Sequence, residues 1–175
     1  MKETLMKEKY LRQMIALNAT LKVTFKLPLV ARSKDDEPTR LSVKDVDFVE
    51  TEILRQFFIN MQRVVDFEFF AYPEDKAKDS VKTFVGLHYH GVVRSENDAK
   101  FIAASPKKYE AVLHNRFKQF QTDFIMPAKP LFIEPLNKTS DLHEANTYEQ
   151  YCLKHYCPSL SLVSSAAFRI KQLAA

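Results

Sequence analysis

Glycine and cysteine are both scarce in this chain of 175 residues, which contains only two of each. Cys152 and Cys157 stand five residues apart, and this fits neither a disulfide framework nor the paired Cys-x-x-Cys spacing of a zinc site. We therefore expect two reduced thiols. No apolar run is long enough to cross a bilayer, and the charged N-terminus lacks the apolar centre of a signal peptide. These absences predict a soluble, cytoplasmic protein with no membrane partner.

The chain also lacks a GxxxxGK[ST] phosphate-binding loop, which argues against a nucleotide-hydrolysing motor. What it does contain is 46% apolar and 27% charged residues, a composition that suits a single folded domain over residues 1–175. Lys and Arg number 26 against 22 Asp and Glu, for a net charge of +4. This excess weakly favours a polyanionic partner such as nucleic acid.

The spacing of apolar residues predicts helices mixed with strands. Leu21, Val23 and Phe25 alternate with polar residues, which is typical of a half-buried strand. Two adjacent strands joined by a short polar turn indicate an antiparallel hairpin. We therefore predict an α+β fold with a central antiparallel sheet of about five strands flanked by helices. The first half of the chain is predicted to contain a helix over 2–17, a strand over 21–27, a loop over 31–42 and a helix over 43–62 capped by Ser42. Strands over 64–72 and 81–94 follow around a turn at 73–80. The remaining elements are a helical region over 95–121, for which a break at Pro106 is one alternative, an edge strand over 129–137, and a helix over 140–157 beginning at Ser140 or Asp141.

The stretch LHYHGVV places two histidines on one strand. Because residues i and i+2 of a strand point to the same face, His88 and His90 project side by side and can share one cation. Both glycines, Gly86 and Gly91, flank the pair, and glycine in a strand marks the close approach of a backbone or a ligand. About one chain in seven of this composition carries such a pair by chance. Two histidines that are only hydrogen-bonded on the sheet are therefore the alternative.

The neighbouring strand of the hairpin offers two acids that could be the third ligand of the cation. A turn centred near residue 78 would place Glu68 opposite His88 and Asp66 opposite His90. We favour Glu68, with Asp66 as the alternative. A slip of one residue would turn the carboxylates to the other face, which would leave them as solvated surface acids.

Near the end of the chain, Tyr148, Tyr151 and Lys154 recur at intervals of three, which puts them on one side of the predicted helix. Tyrosine can act as a covalent nucleophile, and a lysine beside it can steady a phosphate or the phenolate. His155 turns off this side, so we assign it no role. A Tyr-x-x-Lys match alone carries little weight, since about 0.7 are expected by chance in this composition.

Taken in order, LKVTFKLP (21–28), LHYHGVV (87–93) and YCLK (151–154) resemble the three motifs of the HUH endonucleases, in particular the Rep-type initiators of rolling-circle replication. The resemblance implies an antiparallel sheet with helices and a divalent cation, Mn²⁺ or Mg²⁺, bound by His88, His90 and an acid for which Glu68 is our candidate. It also implies that Tyr151 attacks single-stranded DNA at a specific sequence and forms a 5′-phosphotyrosine intermediate, while Lys154 positions the phosphate or the metal.

The resemblance leaves several points open. Some family members use two tyrosines four residues apart, whereas Tyr148 and Tyr151 are three apart, so we favour a single nucleophile with Tyr148 as an accessory. Lys22, Lys26 and Arg94 are candidates for phosphate contacts, although solvated strand residues would look the same. The implied partner is single-stranded DNA at a plasmid or viral replication origin, with a host helicase as a second candidate because no helicase domain is predicted. Transposases and relaxases share this chemistry, and a nonenzymatic nucleic-acid-binding module is the alternative of another class.

Overall fold

An antiparallel sheet of five strands, in the order β7-β1-β5-β4-β8, organises the fold. The computed structural model describes residues 2–77, 80–120, 123–137 and 147–173. A second sheet has the order β3-β2-β6. The strands are β1 (Leu21–Lys26), β2 (Leu29–Ala31), β3 (Thr39–Arg40), β4 (Phe67–Ala77), β5 (Ser80–Ser95), β6 (Asp123–Ile125), β7 (Leu131–Pro135) and β8 (Val163–Ser164).

Helices cover both faces of the large sheet. No helix among the described residues is both long enough and apolar enough to cross a membrane. The helices are α1 (Lys2–Ala16), α2 (Val46–Phe48), α3 (Arg55–Gln62), α4 (Asp98–Phe120), α5 (Tyr148–Cys152) and α6 (Ser165–Leu173), with a 3₁₀ turn over Val43–Asp45 before α2 and a π-helical segment over Val49–Leu54 between α2 and α3.

The two faces of the sheet carry separate apolar clusters. The larger cluster includes Phe25, Phe69 and Tyr89, and it packs the sheet against residues of α3, α4 and α6. On the opposite face a smaller cluster, which includes Tyr72 and Val92, packs against residues of α1 and α5. Burial of apolar area drives both contacts. As a result, α5 is held directly against the face of the sheet on which the even-numbered residues of β5 lie.

Much of the predicted architecture is confirmed. The fold is α+β, with an antiparallel five-stranded sheet flanked by helices. β1 alternates as expected, because Leu21, Val23 and Phe25 are buried while the residues between them are at least partly exposed. Ser42 caps its helical segment through a capping box with Asp45. The strand predicted over 129–137 is β7, at an edge of the sheet.

Several predicted elements differ from the structure, and the loop predicted over 31–42 contains the short strand β3. The polar stretch 73–77, predicted as a turn, continues β4 as far as Ala77. Helix α4 runs through Pro106 from Asp98 to Phe120. Within the described residues the last predicted helix is present as Tyr148–Cys152, and its predicted start at Ser140 or Asp141 lies outside them. The end of the chain, for which the pattern predicted no element, contributes β8 and α6.

Gly91 allows β4 and β5 to lie close together. A Cβ atom built at Gly91 would be 2.5 Å from the carbonyl oxygen of Phe70 and 2.9 Å from the Cβ atom of Ala71. Both distances are below van der Waals contact. Glycine is therefore required at this position because a neighbouring backbone, rather than a ligand, approaches closely.

Substituting Gly91→Ala should destabilise the fold by about 1–3 kcal/mol, the usual cost of adding a methyl group to a filled site. Urea unfolding followed by circular dichroism would measure the change in the free energy of unfolding. An unchanged unfolding midpoint would contradict the close packing of these two strands.

Candidate functional site

The histidine pair lies on β5, on the face of the sheet that α5 covers. Within the β4–β5 hairpin, His88 is opposite Glu74 and His90 is opposite Tyr72. On the other side of β5, Thr24 of β1 is opposite His90 and Lys26 is opposite His88. The predicted side-by-side projection is seen directly, since the two imidazole centroids are 4.9 Å apart.

The carboxylate beside the histidines is Glu74, and the predicted pairing with Glu68 or Asp66 is wrong. Glu68 is opposite Arg94, six residues away along β4, or about 20 Å. It points to the expected face, but Arg169 lies 3.8 Å from its carboxylate, and Arg169 also binds Asp66 at 2.7 Å. Neither acid is part of the cluster.

The register explains this error. The turn is close to where it was predicted, because Ala77 pairs with Ser80. However, three steps along β4 from Ala77 to Glu74 correspond to eight steps along β5 from Ser80 to His88, with register shifts on either side of Lys76. β5 therefore carries five extra residues that a regular hairpin would not have. Bulges of this kind cannot be read from alternation alone.

Three nitrogen atoms converge on one oxygen of the buried Glu74 carboxylate. The Nε2 atoms of His88 and His90 are 2.9 and 3.0 Å from Oε1, and Lys154 Nζ is 2.6 Å from the same atom. The Glu74 side chain is only 2% exposed. Glu74, His88 and His90 form the one group of three potential metal ligands found among the described residues.

The hydrogen bonding of His88 favours a cation at this position. Its Nδ1 atom is 2.9 Å from the carbonyl oxygen of Gly86, which can only accept, so Nδ1 carries a proton. In a neutral imidazole the Nε2 atom then has only a lone pair, and it faces the Glu74 oxygen. Two acceptors at this distance require a proton or a metal ion between them. The Gly86 carbonyl is the type of partner that orients a metal-binding histidine.

His90 is compatible with the same ion. Its Nδ1 atom is 3.1 Å from the hydroxyl of Thr24, which can accept a hydrogen bond from Nδ1–H and so leave the Nε2 lone pair free. Adjacent ligands of an octahedral ion, each about 2.1 Å from the metal, lie about 3.0 Å apart. The two distances from Nε2 to Glu74 Oε1 are compatible with this value, and they are also those of ordinary hydrogen bonds. The residues present therefore fit a divalent cation.

Electrostatics keep Glu74 ionised. Burial by itself raises the pKa of this carboxyl group. When no metal ion is bound and the Nε2 atoms of His88 and His90 carry protons, their hydrogen bonds and that of Lys154 outweigh burial and hold the pKa well below its ordinary value. Burial also lowers the pKa of His90 and so favours the neutral imidazole, although Glu74 acts in the opposite direction. A carboxylate next to a neutral imidazole is a suitable pair of metal ligands.

Tyr151 stands beside this group on the short helix α5. Thr147 caps the helix through a capping box with Gln150 and so fixes where it starts. The Tyr151 ring is 5.0 Å from the His90 ring, centroid to centroid. Lys154 Nζ lies 3.8 Å from the centre of the Tyr151 ring while it also binds Glu74. The structure thus brings together His88, His90, Tyr151 and Lys154.

His155, for which the sequence predicted no role, also contacts the Glu74 carboxylate. Its Nδ1 atom is 3.0 Å from Glu74 Oε2, the oxygen that the other three groups leave open. The prediction assumed that the helix continued to residue 157, but α5 ends at Cys152 and a tighter turn follows, in which the Lys154 amide bonds the Tyr151 carbonyl. The contact between His155 and Glu74 could have been predicted only if the end of α5 had been placed at Cys152.

The remaining predicted residues lie on the same side of the sheet, Tyr148 on α5 and the basic residues on β1 and β5. Tyr148 stacks on Tyr151 with centroids 5.6 Å apart, and its hydroxyl donates to the carbonyl of Val23. Burial raises the pKa of Tyr148 far above its ordinary value, which opposes formation of a phenolate. Lys22 and Lys26 flank Thr24 on β1, and Lys22 forms an ion pair with Glu134 at 3.3 Å. Arg94 is exposed four residues beyond His90, at the far end of β5.

No family model, curated protein or solved structure gives a significant match to this chain. The geometry of the cluster therefore carries the functional argument.

Glu74→Gln should weaken Mn²⁺ binding by at least the 10–100-fold that is typical of losing an outer-shell partner, because the amide removes the one anionic ligand. Isothermal titration calorimetry on the purified variants would measure the dissociation constant. Glu68→Gln is the matched control, since it removes the same charge from the same strand outside the cluster. Equal losses in both variants, or none in either, would contradict a metal centre at Glu74.

Gly86→Ala should weaken metal binding by about 10–100-fold by disturbing His88. Gly86 has a φ of +90°, and an added Cβ would be 3.0 Å from the Cβ of Arg40. Relieving this strain moves the carbonyl that orients His88, and the left-handed conformation itself costs about 1–2 kcal/mol. Calorimetric titration with Mn²⁺ and urea unfolding would measure the two effects. A loss of stability with unchanged metal affinity would show that Gly86 does not orient the ligand.

Proposed function

We propose that this chain is a metal-dependent endonuclease of the HUH type, which nicks single-stranded DNA through Tyr151 and can rejoin it. The observation that carries the proposal is the placement of a tyrosine against a buried group of two histidines and one carboxylate, with Lys154 contacting both. Phosphoryl transfer by a tyrosine needs a nucleophile, a metal ion that polarises the phosphate and a positive charge nearby. Tyr151, the candidate metal centre and the Lys154 ammonium would supply these three components.

The donor set suits a divalent ion, for which we propose Mn²⁺ or Mg²⁺. Imidazole and carboxylate ligands together accept Mn²⁺, and few protein ligands leave positions open for phosphate oxygens. When bound, such an ion acts as a Lewis acid toward a phosphoryl oxygen. Glu74, His88 and His90 would hold it, while Thr24, the Gly86 carbonyl and His155 would orient these ligands from behind.

Tyr151 is the proposed nucleophile because it adjoins His90 at the surface of the cluster. Its hydroxyl oxygen attacks the scissile phosphorus, the bond from phosphorus to the 3′ oxygen breaks, and a 5′-phosphotyrosine bond forms. The tyrosine loses its proton, and the departing 3′ oxygen takes one up. The reverse reaction joins two strands without any external energy source.

Lys154 would stabilise negative charge both before the reaction, on Glu74, and during it, on the phenolate or the scissile phosphate. In this structure its ammonium group neutralises Glu74 and lies over the ring of Tyr151. A small change of side-chain conformation would transfer the ammonium from the carboxylate to the phenolate or to the scissile phosphate. Lysine acts well in this role because its charge is compact and its stem is flexible.

The substrate proposed is single-stranded DNA at a replication origin, with nicking specific for a sequence. Lys22 and Lys26 project from the same face of the sheet as the histidines, as groups that follow a phosphate backbone should. We also propose a host helicase as a protein partner. Transposition and plasmid mobilisation use the same chemical step, so the activity assay applies to all three settings.

Tyr151→Phe should abolish the covalent DNA adduct while leaving DNA binding intact, because it removes one oxygen and keeps the ring. The assay incubates the protein with a randomised pool of single-stranded oligonucleotides and Mn²⁺, and reads denaturing gels and intact mass. Tyr148→Phe is the matched control, three residues earlier on the same helix, and it should still form the adduct. EDTA should prevent adduct formation by the wild type.

An adduct that persists in Tyr151→Phe but disappears in Tyr148→Phe would assign the nucleophile to Tyr148. DNA binding without an adduct, in a protein shown by calorimetry to hold Mn²⁺, would point instead to a nonenzymatic binding module.

A further inference from the structure

A small cavity adjoins the candidate metal centre on the side of β1 and β7. Its volume is about 200 Å³, and it is open to solvent. His90 and Tyr151 form the wall nearest the centre, Thr24 and Tyr148 also line it, and Phe132 lies on the opposite side. Sites for drug-sized ligands usually measure about 300–1,000 Å³, so this cavity suits something smaller, such as one planar ring.

Phe132 is unusual in its position. It projects from the edge strand β7 in one cross-strand row with Thr24 and His90, so it shares the face that carries the predicted chemistry. The neighbouring Leu131 is buried on the other face, whereas Phe132 is 38% exposed. A partly exposed aromatic ring that borders an open cavity is available to stack against a ligand.

Charged groups surround the aromatic surfaces. Lys129 Nζ lies 5.8 Å from the centre of the Phe132 ring, and Lys22 Nζ lies 5.5 Å from the centre of the Tyr148 ring. Lys22 also forms an ion pair with Glu134 at the rim. Aromatic faces next to lysines are the combination that binds single-stranded nucleic acid, in which bases stack and phosphates need cations.

We infer that this cavity binds the nucleobase next to the scissile phosphate, stacked on Phe132. The inference rests on the proposed function and extends it by assigning the contact that fixes the DNA strand relative to Tyr151. The cavity shares His90 and Tyr151 with the centre, so a base held there places its own phosphate group within reach of both. Scattered surface phenylalanines are common, but this one borders a cavity that His90 and Tyr151 also line.

Phe132→Ala should weaken binding of a thymidine oligonucleotide by about 5–150-fold, the range for one stacked base. The measurement is fluorescence anisotropy in Mn²⁺ with the Tyr151→Phe protein as parent, so that no covalent trapping occurs. A second oligonucleotide of equal length, with abasic sites in place of thymidines, keeps the phosphates and lacks the rings. Its affinity should be unchanged by Phe132→Ala.

Two further variants sharpen the test. Phe132→Tyr should restore the binding of thymidine because it keeps an aromatic ring. Phe120→Ala is the matched control, since Phe120 is 50% exposed at the end of α4, away from the cavity, and its loss should have no effect.

Equal weakening with both oligonucleotides, no weakening with either, or failure of the parent to bind thymidine would overturn the inference. The proposed function is judged separately by adduct formation on Tyr151 in the wild type. Thymidine binding that depends on Phe132, in a protein that forms no adduct, would support the base site and refute the nuclease.

Discussion

The buried carboxylate of Glu74 is the contact on which the whole candidate site depends. His88, His90 and Lys154 reach one of its oxygens and His155 reaches the other, so β5 and the turn after α5 are joined through a single side chain of β4. A carboxylate that is 2% exposed is stable in ionised form only because these groups surround it. Removing one partner from such a buried group typically costs about 3–5 kcal/mol, since an uncompensated charge is left behind.

The hairpin register puts that carboxylate in place. Residues of β4 and β5 pair regularly from Phe67 to Glu74, and the irregularities near Lys76 accommodate the extra length of β5. The same hairpin requires Gly91, where the strands approach closely, and Gly86, whose positive φ turns its carbonyl toward His88. The only two glycines of the chain thus serve the strand that carries both histidines, one through packing and the other through orientation.

The second half of the site comes from α5, which the smaller apolar cluster holds against the sheet. Cys152 and Leu153 are buried next to Tyr72 and Val92, and this packing leaves Tyr151 and Lys154 facing the histidines. Tyr148 is then confined between the sheet and Tyr151, where burial opposes its ionisation. Tyr148 is thus packed in the fold, whereas Tyr151 lies beside the candidate metal centre. This difference supports the proposal that Tyr151 is the single nucleophile.

From the sequence by itself one can determine the α+β class, the alternation of β1, the shared face of His88 and His90, and the grouping of Tyr151 with Lys154. The first three depend on local periods of two or about 3.6 residues, which a single chain displays. The fourth depends on a spacing of three residues, which the turn after α5 preserves. Only the tertiary structure decided that Glu74 and not Glu68 meets the histidines, because register depends on bulges and on pairing over the full length of the hairpin. It also decided the role of His155, since the end of α5 is set by packing against the sheet rather than by helical periodicity.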